Sequence, residues 1–134
     1  MTRYVWDASA VLVYLRGEPG VDALETRLAE SGEHYLCAVN LSEVAGWLNE
    51  RGMPAAELQT FTAALDLQIV AFDQPLALTT GLLRTATKAR GLSRGDRACL
   101  ALAKQLGATA LTADRAWLDL ALDQAIELTR PATT

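Results

Sequence analysis

Tyr4-Val5-Trp6-Asp7-Ala8-Ser9-Ala10 is the stretch on which the fold turns. Three β-prone residues end on a carboxylate, and an apolar run from Ala8 to Leu15 follows at once. Short apolar, β-prone runs of this kind recur between longer segments of helical period. Tyr4 to Trp6 reads as a first strand, His34 to Val39 as a second, Gln68 to Phe72 as a third, Ala108 to Thr112 as a fourth and Ile126 to Leu128 as a weak fifth. Helices fill the gaps. Leu41, Val44, Ala45 and Leu48 fall at i, i+3, i+4 and i+7, and Cys99, Leu102, Ala103 and Leu106 repeat that spacing. Leu58, Phe61 and Leu65 follow Pro54, a residue that suits a helix's first turn. Strands alternating with helices imply right-handed crossovers and a parallel sheet covered on both faces, so the fold class is α/β.

The 134 residues fit one domain, 1–134, and a chain of this length buries roughly two thirds of the surface it exposes when unfolded. An apolar fraction of 51% beside 21% charged residues excludes a disordered or collagen-like chain. The net charge of -4 excludes a global positive field, so any polyanion must be bound locally. Cys37 and Cys99 stand in no metal or disulfide pattern and read as buried free thiols of a reducing compartment. No apolar run approaches the ~20 residues that span a bilayer, and the expectation is a cytoplasmic protein with no membrane contact.

In a parallel α/β sheet, residues just after a strand and residues opening the next helix share one edge, where ligands bind. Asp7 follows the first strand, Glu43 sits in the opening turn after the second, Asp96 opens the helix carrying Cys99, and Asp114 follows the fourth strand. Each has a structural explanation. Asn40-Leu41-Ser42-Glu43 and Ser93-Arg94-Gly95-Asp96 both resemble capping boxes, and Asp7 and Asp114 suit helix N-caps. Four carboxylates gathered together would nevertheless repel by roughly 1 to 4 kcal/mol per close pair, which stability alone does not reward. A hard divalent cation resolves the conflict. Oxygen ligands without a neighbouring histidine or thiolate point to Mg²⁺ or Mn²⁺, since His34 is the only histidine and sits alone in a strand. Mg²⁺ completes its shell with water and phosphate oxygens, so a phosphate ester cut by a metal-activated water is the expected chemistry. Ser9 and Thr112, each two residues from an acid, are placed to orient a carboxylate or a water, and Asn40 joins them as a supporting polar group.

Half of the twelve basic residues fall between Arg84 and Lys104, where Asp96 is the only acid. Arg84, Lys88, Arg90, Arg94 and Arg97 are therefore the candidates for contact with the phosphates of a nucleic acid, against the alternative of a solvated helical face. Trp6, Trp47 and Trp117 read as core or interface aromatics. Trp47, Leu48, Leu58 and Phe61 read as core, or as a groove for a partner helix.

Four segments, Tyr4 to Ala10, Asn40 to Val44, Gly91 to Ala98 and Leu111 to Asp114, resemble in order the four signatures of PIN-domain ribonucleases, specifically VapC-type toxins of bacterial toxin-antitoxin pairs. The resemblance spans nearly the whole chain. It implies a three-layer α/β/α sandwich, Mg²⁺- or Mn²⁺-dependent endonucleolytic cleavage of structured RNA such as tRNA or rRNA, and a homodimer held inactive by a VapB-type antitoxin. It also implies that Asp7, Glu43, Asp96 and Asp114 are the acidic positions, with Ser9 and Thr112 the accompanying hydroxyls and Asp119 the substitute for Asp114 if the local helix turns differently. Two other functions remain open on the residues. One is a receiver-like phospho-acceptor, with Asp73 ending the third strand, Thr112 the fourth, and Arg130-Pro131 following the fifth. The other keeps the fold without catalysis, as a module that holds RNA or a protein.

Overall fold

The computed structural model describes residues 2–120 and 122–129. Five strands, β1 (Thr2–Trp6), β2 (Gly32–Cys37), β3 (Gln68–Val70), β4 (Thr109–Thr112) and β5 (Ile126–Leu128), form one parallel sheet in the order β3-β2-β1-β4-β5. The helices are α1 (Ala8–Arg16), α2 (Val21–Ala29), α3 (Ala38–Glu50), α4 (Ala55–Ala64), α5 (Gln74–Leu82), α6 (Arg84–Thr87) and α7 (Arg94–Leu106), with 3₁₀ turns at Lys88–Arg90 and Arg115–Asp119.

Period-two alternation within the strands builds two cores. Tyr4, Trp6, Leu36 and Leu111 face α1, α2 and α3, together with Ala10, Val11, Leu24 and Val44. Val5, Cys37 and Ala110 face the other way, against Leu76 of α5 and the buried stripe Cys99, Leu100, Leu102 and Ala103 of α7. The fold is thus a three-layer α/β/α sandwich. Crossovers from β1 to β2 to β3 carry α1–α4 on one face, and the return from β3 to β4 carries α5–α7 on the other. Uniformly right-handed crossovers require this division. Because the winding reverses between β1 and β4, the crevice at the carboxyl ends of those two strands is the topological switch point, where such sheets bind ligands.

Two boundaries differ from the expected ones for a physical reason. β2 runs from Gly32 to Cys37 because its register with β1 begins at Thr2 opposite Gly32 and ends at Trp6 opposite Leu36. The chain then turns straight into α3 at Ala38, so β-branched Val39 is helical and packs against the α7 core. β3 stops at Val70, two residues before Phe72, because it is an edge strand paired only with β2. At the end of α7, Gly107 adopts φ 61, which the left-handed cap needs, and Ala108 donates to the Ala103 carbonyl at 2.8 Å. That cap aims β4 back along the sheet. No helix among the described residues is long and apolar enough to cross a membrane.

The lone histidine is structural. His34 is buried, stacks on Tyr4 at 5.2 Å, accepts from Trp6 Nε1 at 3.0 Å through Nδ1, and meets the Arg27 carbonyl through Nε2 at 3.2 Å. Accepting at one nitrogen makes the ring the neutral tautomer that donates from the other. Burial accordingly pushes its pKa below the usual histidine value.

Candidate functional site

Asp7 follows β1 and is the N-cap of α1, its Oδ1 accepting from the Ala10 amide at 2.8 Å. It is only 3% exposed. Ser9 Oγ donates to Oδ1 at 2.7 Å and Thr112 Oγ1 to Oδ2 at 2.5 Å, so both oxygens are held by hydroxyls. Those hydroxyls also knit the switch point together. Ser9 Oγ accepts from the Ala113 amide at 2.9 Å, and Thr112 Oγ1 accepts from the Asp114 amide at 3.0 Å. Burial is the main force on the Asp7 carboxyl and pushes it up to about 6, aided by the charge of Asp96 and opposed by the Thr112, Ala10 and Ser9 bonds.

Asp96 is the third residue of α7 and closes a true capping box: its amide donates to Ser93 Oγ at 3.2 Å, and its Oδ2 accepts from the Ser93 amide at 2.9 Å. The expected second box does not form. α3 begins at Ala38 with Cys37 as its N-cap, which puts Asn40 inside the first turn and Glu43 in the second. Asn40 Nδ2 instead donates to Glu43 Oε1 and to the Gly95 carbonyl, each at 3.0 Å, tying α3 to the start of α7. Glu43 is exposed as a residue, yet its carboxylate lies against Gly95, and this shielding raises its pKa, with Asn40 opposing and Asp96 adding to the rise.

Asp96 thus interacts electrostatically with Asp7 on one side and with Glu43 on the other. The fully buried Cys99 thiol, one turn below Asp96, has its pKa raised well above the usual value, chiefly by burial and further by Asp7, Asp96 and Glu43 together. The charges of three carboxylates distant in sequence thus all reach one thiol of α7. Asp114 is more peripheral. It is exposed, its side chain caps the following 3₁₀ turn through the Ala116 amide at 3.0 Å, and only its backbone joins the Thr112 network. Asp119 lies at the far end of that turn, exposed, with Asp114 at the near end.

The basic strip divides. Arg84, Arg94 and Arg97 line a cleft with Phe72, Ala77 and Thr80, beside the first turn of α7. Arg97 spends one donor internally, on the Leu92 carbonyl at 2.8 Å, while Lys88 and Arg90 are exposed on the 3₁₀ turn. Lys104 is ten residues along α7, roughly 15 Å from Arg94, and borders a different cavity with Leu83 and Asp123. Trp6 and Trp117 are fully buried core residues. Trp47 is half-buried, with Arg51 3.6 Å and Arg16 5.1 Å from its ring. Leu48 and Phe61 pack against the α1–α3 core, and Leu58 lines an open apolar groove between α3 and α4 with Leu41, Ala45 and Ala63.

One functional candidate escaped the sequence, Gly95. The signal available in the sequence was a glycine, a poor helix former, directly before an acid in the turn opened by Ser93. The receiver-like alternative fails on topology. Asp73 follows edge strand β3, separated from β1 by β2, and serves as the N-cap of α5 through the Leu76 amide at 3.1 Å. A phospho-acceptor on the third strand would need that strand beside β1. Arg130-Pro131 lies outside the described residues.

Residues 4–122 match the PIN domain, and the chain belongs to the PIN domain family. Solved structures with the same fold include VapBC2 from Rickettsia felis bound to a DNA fragment from its promoter, 18% identical, covering 95% of this chain and 98% of that one, TM-score 0.72. DNA-bound VapBC from Salmonella typhimurium is 16% identical over 96% of this chain and 99% of that chain, TM-score 0.73. FitAcB from Neisseria gonorrhoeae is 23% identical over 92% and 95%, TM-score 0.63. No curated protein gave a significant match.

Proposed function

We propose that this PIN-domain protein is a Mg²⁺- or Mn²⁺-dependent endoribonuclease, the VapC-type toxin of a bacterial toxin-antitoxin pair, whose single domain acts in the cytoplasm on structured RNA such as tRNA or rRNA. The observation that carries this is the convergence of Asp7, Asp96 and Glu43 on one edge, with Asp7 buried and its carboxyl at about 6. A buried carboxylate held in its ionised geometry by two hydroxyls and an amide is poised for a cation partner. The donor set fits Mg²⁺ or Mn²⁺, being all oxygen with no imidazole. Among the described residues no three His, Cys, Asp or Glu side chains are grouped closely enough to hold an ion, so an ion here would take only one or two of these carboxylates directly and fill the rest of its shell with water and substrate phosphate.

Asp7 and Asp96 would hold the ion directly, with Glu43, docked beside Asp96, reaching it through water and Asp114 at the margin. When bound, it supplies Lewis-acid stabilisation of phosphoryl charge and a more acidic attacking water. The chain does the rest. Ser9 and Thr112 fix the Asp7 rotamer, the capping box fixes Asp96, and Arg84, Arg94, Lys88 and Arg90 present cations to the RNA backbone beside that edge. Several of the similar structures are of VapBC or toxin-antitoxin systems, which supports a VapB-type antitoxin as partner; a homodimeric toxin and the open apolar groove between α3 and α4 as the seat of a partner helix belong to the same proposal.

The purified protein should cut RNA in Mg²⁺, and Asp7→Asn or Asp96→Asn should abolish cutting. Full activity in excess chelator would refute a metal-dependent nuclease, and RNA retention without turnover would leave a binding module. Sequencing RNA ends after brief expression, with Asp7→Asn as control, identifies the target.

A further inference from the structure

The first turn of α7 leaves a notch, and Glu43 fills it. Gly95 is the second residue of the helix and is buried, with no positive φ, so alanine would serve the helix better there. The helix does not explain the glycine, but Glu43 does. An ideal Cβ on Gly95 would stand 2.5 Å from Glu43 Cδ and 2.6 Å from Oε2, and nearer still to Oε1. The carboxylate occupies the space that any side chain at 95 would need. Asn40, 1% exposed, closes the arrangement from below through its two 3.0 Å bonds, to Glu43 Oε1 and to the Gly95 carbonyl. Its Oδ1 is buried with no partner. A residue that merely filled this space would be aliphatic, because a half-satisfied buried amide costs stability. What the amide adds is a pair of hydrogen bonds that join α3 to the first turn of α7, from the opposite layer. Glu43 is also the one acid of the set that caps no helix, so nothing else holds it.

We infer that Gly95 and Asn40 are positioning residues: together they dock the Glu43 carboxylate on the first turn of α7 beside Asp96 and so set the spacing of the cation site. The docking stands on the geometry alone, while its consequence for the ion rests on the nuclease function proposed above.

Gly95→Ala tests this, with Asn40→Asp, which sets a like charge against Glu43, as a second variant of unchanged size. In metal-free protein, the Asn40 side-chain amide resonances should move in Gly95→Ala, as they also should when the carboxylate is removed in Glu43→Ala. The thermal midpoint of Gly95→Ala should stay at or above the wild-type value, since alanine favours the helix. Mn²⁺ affinity by calorimetry should fall roughly 10- to 100-fold in both variants, the scale of lost support behind a ligand. In a Glu43→Ala background, adding Gly95→Ala should change Mn²⁺ affinity by less than about twofold, because the clash has no target. An equal loss in both backgrounds overturns the proposal. Unmoved Asn40 resonances overturn the docking whatever the ion does, whereas a wild-type protein that binds no Mn²⁺ overturns the nuclease function and leaves the docking to be decided by those resonances.

Discussion

Replacing Asp7 by Asn should stabilise the metal-free protein at neutral pH while removing its activity. Asp7 is 3% exposed, and burial lifts its carboxyl from 3.8 to about 6. A group whose folded-state pKa lies above its unfolded value favours folding most when protonated. Its contribution is therefore complete below about pH 4 and is lost as the pH rises through about 6. Two units correspond to about 3 kcal/mol. Asn carries no charge to desolvate and fits the same bonds. Its Oδ1 can accept from Ser9 and Ala10, and its Nδ2 can donate to Thr112, whose hydroxyl rotates toward Ser9 Oγ 3.4 Å away. Urea unfolding of both proteins in chelator, from pH 4 to pH 8, gives the comparison. The stability of Asp7→Asn relative to wild type should climb by about 3 kcal/mol across that range, with the midpoint of the climb between 4 and 6. Mn²⁺ at a hundred times its dissociation constant should then return about 2.7 kcal/mol to the wild type at pH 7.5 and little to the variant. A difference that stays flat with pH would show that the buried carboxylate carries no penalty, and the case for a cation partner would lose its physical basis.

Thr112→Val deletes the 2.5 Å bond to Asp7 and strands the Asp114 amide, so it should cost about 2 kcal/mol at pH 8 and move the acid limb of the cleavage profile to higher pH. Ser93→Ala opens the capping box and should lower stability by about 1 kcal/mol in denaturant titration, with a loss of Mn²⁺ affinity as Asp96 loosens. Arg84→Ala combined with Arg94→Ala removes two cations from the cleft beside α7, so the salt slope of RNA binding should flatten by roughly 1.4 to 1.8, KM should rise, and kcat should hold.

The parallel α/β class was legible because periodicity is a local property. Tyr4 to Trp6 and Cys99 to Leu106 carry their burial pattern in three to eight residues, and the structure buries those same faces. The end of β2 was not legible, since Val39 has strand propensity and only the register against β1, set by residues some thirty positions away, turns it into helix. A still greater separation hides the role of Arg27, which pairs with Glu127 100 residues later as well as with neighbouring Glu30, fastening α2 to β5. Strand order lies further still from sequence. Nothing in a strand's composition says that β4 returns to the far side of β1, yet that return creates the switch point where Asp7 and Thr112 meet.

Capping and function looked like rival explanations of the acids, and the geometry makes them one device. Asp7, Asp96 and Asp114 do cap helices or turns, each through an oxygen that accepts a backbone amide. A cap fixes a carboxylate at a helix N-terminus, where the exposed amides and the helix dipole favour the anion and hold it to one rotamer. Placing two such caps around the β1–β4 switch point brings Asp7 and Asp96 within electrostatic range of one another with little side-chain freedom left to lose. Glu43 could not be placed this way. It stands in the second turn of α3, beyond the reach of a cap, and only a missing side chain at position 95 and an amide at position 40 hold it beside Asp96. The capping motifs that argue most locally for structure are, for two of these acids, the means by which a site is preorganised, and the residue with no local reason for its place is the one that needed a dedicated clamp.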